Sequence, residues 1–144
     1  MRSLFDVSFL IALADSQHLF HQKAREWWAA NRKGGWASCP LTENAFIRIL
    51  SQPSYAPTNR YSLNDTFAWL QSSIERGDHT FWPDDISLLS QNAFDHEKIH
   101  GPKQLTDIYL LALAVENKGR LVTFDQRIPL SAVHNAKPAN LCVA

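Results

Sequence analysis

The sequence predicts an α/β protein with a central, mostly parallel sheet covered by helices on both faces. Three observations predict it. Short apolar runs of four or five residues alternate along the chain with longer segments of helical character. Gly or Pro closes most of these units, at Gly34-Gly35, Pro40, Gly77, Pro83 and Gly119. The 144 residues suit one domain, 1–144, large enough to bury a substantial core.

In chain order, Ser3 to Val7 reads as a buried strand containing Asp6, and Phe9 to Ala14 as a short apolar helix leaving it. His18 to Asn31 is an amphipathic helix carrying Trp27 and Trp28. Trp36 to Cys39 is a short strand stopped by Pro40. Thr42 is placed to cap a helix running to about Ser51, with Glu43 in its first turn. Pro53 and Pro57 frame a loop. Ser62 and Asp65 form a capping-box start for a helix ending at Gly77. His79 to Trp82 is a strand closed by Pro83. Ile86 to about Ile99 reads as a further helix, followed by a Gly101-Pro102 loop. Thr106 to about Asn117 is a helix apolar around most of its circumference, stopped by Gly119. Leu121 to Phe124 and Asn140 to Val143 are the last strands.

Bulk composition excludes several classes. Fourteen basic and fourteen acidic side chains balance, so no overall field steers the chain to nucleic acid, but four acids gathered in one metal-filled cleft would leave 14 minus 10, or +4, a mildly basic surface suited to an anionic substrate. No apolar run approaches the ~20 residues of a membrane span. The apolar FLIALA segment has one basic residue before it and Asp6 beside it, and reads as structure rather than a signal peptide. Cys39 and Cys142 stand in apolar surroundings and read as buried reduced thiols, from which a cytoplasmic setting is expected; a disulfide between them is the alternative reading.

The chemistry lies in four carboxylates. Asp6 ends the first strand and Asp125 follows the fourth. Glu43 and Asp107 each open a helix. In a parallel sheet, strand ends and helix starts converge on the carboxyl edge, where α/β proteins bind ligands. Each acid has a plain structural use as a helix-dipole partner or turn former. Together, four acids at equivalent positions raise one another's pKa and call for a cation. Hard oxygen ligands select Mg²⁺ or Mn²⁺, which bind substrate phosphate and lower the pKa of a bound water. Ser8 and Thr123 each stand two residues from an acid and could support the site. Gathering four acids should cost folding energy without a cation, and neutralising Asp6 or Asp107 should relieve it.

The constellation resembles the PIN domain, in particular the VapC-type toxin ribonucleases of bacterial toxin–antitoxin systems. The matching pieces are Leu4-Phe5-Asp6-Val7-Ser8, Cys39-Pro40-Leu41-Thr42-Glu43-Asn44, Leu105-Thr106-Asp107 with the apolar run after it, and Gly119-Arg120-Leu121-Val122-Thr123-Phe124-Asp125. They cover nearly the whole chain, most weakly between Pro53 and Gly101. The resemblance implies a PIN-like three-layer α/β/α sandwich and an acidic metal site of Asp6, Glu43, Asp107 and Asp125. It also implies a metal-dependent endoribonuclease leaving 5′-phosphate and 3′-hydroxyl ends, a homodimer, and inhibition by a cognate VapB-like antitoxin. Ser8 stands where many relatives carry Asn.

Other residues read more blandly. His18 and His21 are spaced for a metal but have no third ligand nearby in sequence, so packing or hydrogen bonding is the expectation. Trp27, Trp28 and Trp69 read as core. Arg48, Lys103, Arg120 and Arg127 read as surface charges near the edge, able to meet phosphates. Two rival functions stand beside the ribonuclease: a non-catalytic RNA-binding or protein-docking module, and a phosphatase of small phosphate esters.

Overall fold

The computed structural model describes residues 1–56 and 61–144; the expectation for Pro57 lies outside them. Five strands form one sheet: β1 (Ser3–Phe5), β2 (Trp36–Ser38), β3 (His79–Phe81), β4 (Arg120–Thr123) and β5 (Leu141–Val143). Their order is β3-β2-β1-β4-β5, and every neighbouring pair is parallel. The helices are α1 (Val7–Ala14), α2 (His21–Asn31), α3 (Pro40–Leu50), α4 (Leu63–Arg76) and α5 (Leu105–Glu116).

Strand alternation sorts the core into two layers. Leu4, Ala37 and Leu121 face α5 together with Trp82, Phe94, Ile128 and Val133. Phe5, Trp36 and Val122 face the opposite way, onto residues of α1, α2, α3 and α4. The result is the α/β/α sandwich expected from the sequence. Helix α5 is buried continuously from Ile108 to Ala114, as its apolar circumference requires.

Several boundaries differ from the sequence reading. Strand β1 stops at Phe5 because the Asp6 carboxylate accepts the Val7 N–H at 2.6 Å and caps α1. Helix α2 begins at His21, not His18; the His18 ring instead accepts the Phe20 N–H at 3.0 Å. Helix α3 begins at Pro40, with Cys39 rather than Thr42 at the cap. Thr42 Oγ1 reaches back to accept the Cys39 N–H. The Ser62–Asp65 capping box forms as expected.

The helix expected over Ile86 to Ile99 is absent; these residues form turns and one short 3₁₀ segment at His96–Lys98. The Ser87 and Ser90 hydroxyls accept the N–H groups of Leu89 and Ala93, which satisfies backbone donors locally and competes with a helix. Phe94 is thereby inserted into the α5-side core and bridges Val133. Gly119 also has a different reason. Lys118 takes the left-handed turn, at φ 56°. A Cβ on Gly119 would stand 2.6 Å from both the Arg2 carbonyl oxygen and the Trp82 ring. Glycine is there for close packing between β1, β4 and Trp82.

Candidate active site

Parallel pairing of β1 with β4 sets Phe5 beside Val122, so Asp6 and Thr123 emerge together at the carboxyl edge. Asp6 is 6 % exposed and its side chain is heavily engaged. Its Oδ1 accepts from Val7, and its Oδ2 accepts from Ser8 Oγ at 3.0 Å and Thr123 Oγ1 at 2.8 Å. The fully buried Thr123 hydroxyl also accepts the Asp125 N–H at 3.0 Å. One threonine thus locks the Asp6 carboxylate to the turn that carries Asp125. Asp107 comes from the first turn of α5.

Asp6, Asp107 and Asp125 line one open cavity of about 510 Å³, with Ser8, Phe124 and Arg127. Burial, then the charges of Asp6 and Asp125, push the Asp107 carboxyl up to about 6; only Arg127 acts in the opposite direction. Arg127 is paired with Asp125 through Nε at 3.3 Å. Among the described residues, Arg127 is the cation ion-paired to one of these three carboxylates, and it is exposed.

Glu43 is the acid the structure does not bring into this cavity. It opens α3 beyond β2 and accepts from the buried Ser38 hydroxyl at 3.3 Å. With that proton given to Glu43, the His79 ring must present Nε2–H to Ser38, 2.8 Å away. Burial first, and Asp84 second, raise Glu43 above the usual carboxylate range, against the Ser38 hydrogen bond.

Asp84 is an acid that the sequence reading missed. Its Oδ2 accepts the Leu41 N–H in the first turn of α3, while its Oδ1 is buried without a hydrogen-bond partner. The available signal was position: Asp84 follows a parallel strand, like Asp6 and Asp125. Reading Pro83 as a stop and Ile86 as a helix start hid it.

Among the described residues, no three His, Cys, Asp or Glu side chains are arranged to hold a metal ion as they stand. The donor set nevertheless fits a hard divalent cation. It is wholly oxygen, it is short of positive charge, and Asp107 is raised by its acidic neighbours.

The other expected residues divide. Lys103 and Arg127 line the wall beside Asp107 and Asp125. Arg48 lies in the last turn of α3, away from its Glu43 end. Arg120 lies at the start of β4, on the opposite edge, where it donates to Ser3 and Asn31 and covers the Trp27 ring at 5.0 Å. His21 meets the Ala12 carbonyl at 2.7 Å, in keeping with a hydrogen-bonding role. Trp27, Trp28 and Trp69 are partly rather than fully buried. A larger cavity, about 670 Å³, is lined by Trp28, Trp36, Trp69, Arg25, Arg32 and Arg76 and by no carboxylate, which is the wrong chemistry for a cation. Both cysteines are free thiols, and burial pushes Cys39 up to about 11. No described helix is long and apolar enough to cross a membrane.

An all-parallel sandwich with three aspartates gathered at its carboxyl edge defines an α/β protein with an acidic edge site. The chain belongs to the PIN domain family, whose profile matches residues 3–133. It is 43% identical over 141 residues to Ribonuclease VapC44 of Mycobacterium tuberculosis, covering 98% of each chain. Ribonuclease VapC39 of the same organism is 37% identical over 92% of this chain and 94% of its own. Ribonuclease VapC38 is 42% identical over 85% of this chain and 84% of its own.

Proposed function

We propose that the chain is an endoribonuclease toxin that cuts RNA phosphodiester bonds with Mg²⁺ or Mn²⁺ and is neutralised by a cognate VapB-like antitoxin. The observation that carries this reading is the convergence of Asp6, Asp107 and Asp125 on one cavity, in a PIN-domain chain whose near relatives are named ribonucleases. Asp6 and Asp107 would hold the cation and Asp125 would complete its surroundings directly or through water, while Glu43, expected to share the site, stands outside this cavity on Ser38. When bound, the cation offsets the carboxylate charge, makes a water nucleophilic at neutral pH and stabilises the departing oxygen.

The chain's own residues do the rest. Ser8 and Thr123 hold the Asp6 carboxylate in one orientation. Lys103 and Arg127 stand on the cavity wall, where they meet the phosphates flanking the cut. The reading extends to a homodimer and a cytoplasmic setting; two free thiols support the latter.

Purified protein incubated with RNA in Mg²⁺ should yield fragments with 5′-phosphate and 3′-hydroxyl ends, and none in chelator. Equal cleavage in chelator would remove the cation from the reaction. Antitoxin bound at saturation should block RNA binding, and simultaneous saturation by both would contradict neutralisation at this cleft.

A further inference from the structure

Beside the acidic cavity, three phenylalanines run from core to surface. Phe9 is fully buried. Its ring lies 5.5 Å from Phe124, which lines the cavity with the aspartates. Phe124 in turn lies 4.9 Å from Phe20, tilted by 34°. Phe20 is 39 % exposed, and Leu19 beside it is 87 % exposed. Lys23 places its ammonium 5.9 Å from the centre of both outer rings. Among the described residues, Lys23 makes no ion pair.

Helix formation does not account for Phe20. It occupies the cap position of α2 and makes no side-chain cap bond. Ser, Thr, Asp or Asn would stabilise that position. The ring therefore gives up capping energy and leaves apolar area in water. What it offers instead is an aromatic surface packed on Phe124, which lines the acidic cavity, with the Lys23 ammonium alongside. A smaller cavity that shares Asp107, Asp125 and Arg127 with the acidic one is also lined by Lys103 and Gln104.

Resting on the ribonuclease reading above, we propose that Phe20, backed by Phe124, is a stacking surface for an unpaired base of the RNA strand next to the scissile phosphate, with Lys23 meeting the adjoining backbone. Aromatic rings stack on any base, and a neighbouring cation suits the phosphate that each base brings with it. A base held in a duplex has no free face to offer. The site accordingly takes single-stranded segments or loops, and the stacked nucleotide fixes which phosphate reaches the aspartates. Phe20 acts in binding and register, not in bond cleavage.

The test uses the full chain in Mg²⁺ with an unstructured RNA oligonucleotide, and the same RNA carrying one abasic nucleotide at each position flanking the cut. Phe20→Leu keeps the apolar bulk and removes the aromatic face; Phe20→Trp keeps the face. Phe20→Leu should raise KM about ten-fold, within the roughly 5- to 150-fold that 1–3 kcal/mol of stacking represents, with kcat little changed. Phe20→Trp should restore KM. For wild type, one abasic position should raise KM comparably, and that position should no longer matter in Phe20→Leu. The abasic series on wild type stands without any variant.

If wild type cuts RNA while Phe20→Leu keeps its KM, or no abasic position matters, the stacking surface is wrong and the ribonuclease reading survives. If wild type does not cut RNA, both fall together.

Discussion

Asp107 carries opposing demands in one side chain. Its burial and its acidic neighbours disfavour the charged form, yet a cation requires that form. A carboxyl raised when folded contributes stability that is full below its unfolded value, near 3.8, and is lost as pH rises through about 6. In chelator, wild type should therefore lose on the order of 1–2 kcal/mol between pH 4 and 7, after allowance for solvent screening. Asp107→Asn should flatten that part of the profile and melt higher than wild type at pH 7. Thermal melts across this range check it. Asp6 behaves differently. Because its oxygens accept from Val7, Ser8 and Thr123, Asp6→Asn should lower stability by about 1–2 kcal/mol even without metal. Both substitutions relieve the same repulsion, but at Asp6 the weakened hydrogen bonds outweigh that relief. The strand-end acids were legible because chain order places them at the edge. The locking of Asp6 by Thr123 was not, because it depends on parallel register between residues far apart in sequence. The same limit hid the alignment of Phe20 with Phe124, whereas Asp84 was hidden by reading Pro83 as a stop and Ile86 as a helix start.

At the scale of elements, α5 and β4 were readable because an apolar helix, a tight turn and an apolar strand leave few alternatives. Gly119 marked the turn correctly for a reason that sequence could not supply. Gly119→Ala should cost about 1–3 kcal/mol, since Cβ would meet the Arg2 carbonyl and force β1 and β4 apart. Denaturant melts should show it, with the loss larger than for alanine at the open Gly101. The segment from Ile86 to Ile99 misled because its apolar spacing imitates a helix while its serines bond the backbone. A second tie joins distant elements. Asp15, capping the end of α1, accepts from the hydroxyls of Tyr55 and Tyr61. Burial alone would raise this carboxyl. The bonds from Tyr55, the Gln17 N–H and Tyr61, with His18, outweigh that effect and hold it below the usual range. A lowered carboxyl stabilises above its unfolded value and loses that contribution as pH falls through the folded one. Tyr55→Phe should therefore cost about 1 kcal/mol at pH 7, and progressively less below pH 4. Acid unfolding of the two proteins compares them.

For the whole molecule, balanced charge gave no sign of an RNA partner because the relevant field is local. Three carboxylates face one cavity, while Lys23, Lys103 and Arg127 flank it. The sheet order sets this arrangement by placing β1 beside β4 at its centre. The central claim is that these aspartates bind a divalent cation in the folded state. The most direct measurement is the thermal shift of wild type and Asp107→Asn as Mn²⁺ is added at pH 7. Binding to the folded state alone at a hundred-fold excess over Kd supplies about 2.7 kcal/mol, or roughly 5–10 °C for a chain of this size. Wild type should rise by that amount and Asp107→Asn by far less. Equal shifts in the two proteins, or no shift in either, would contradict the claim.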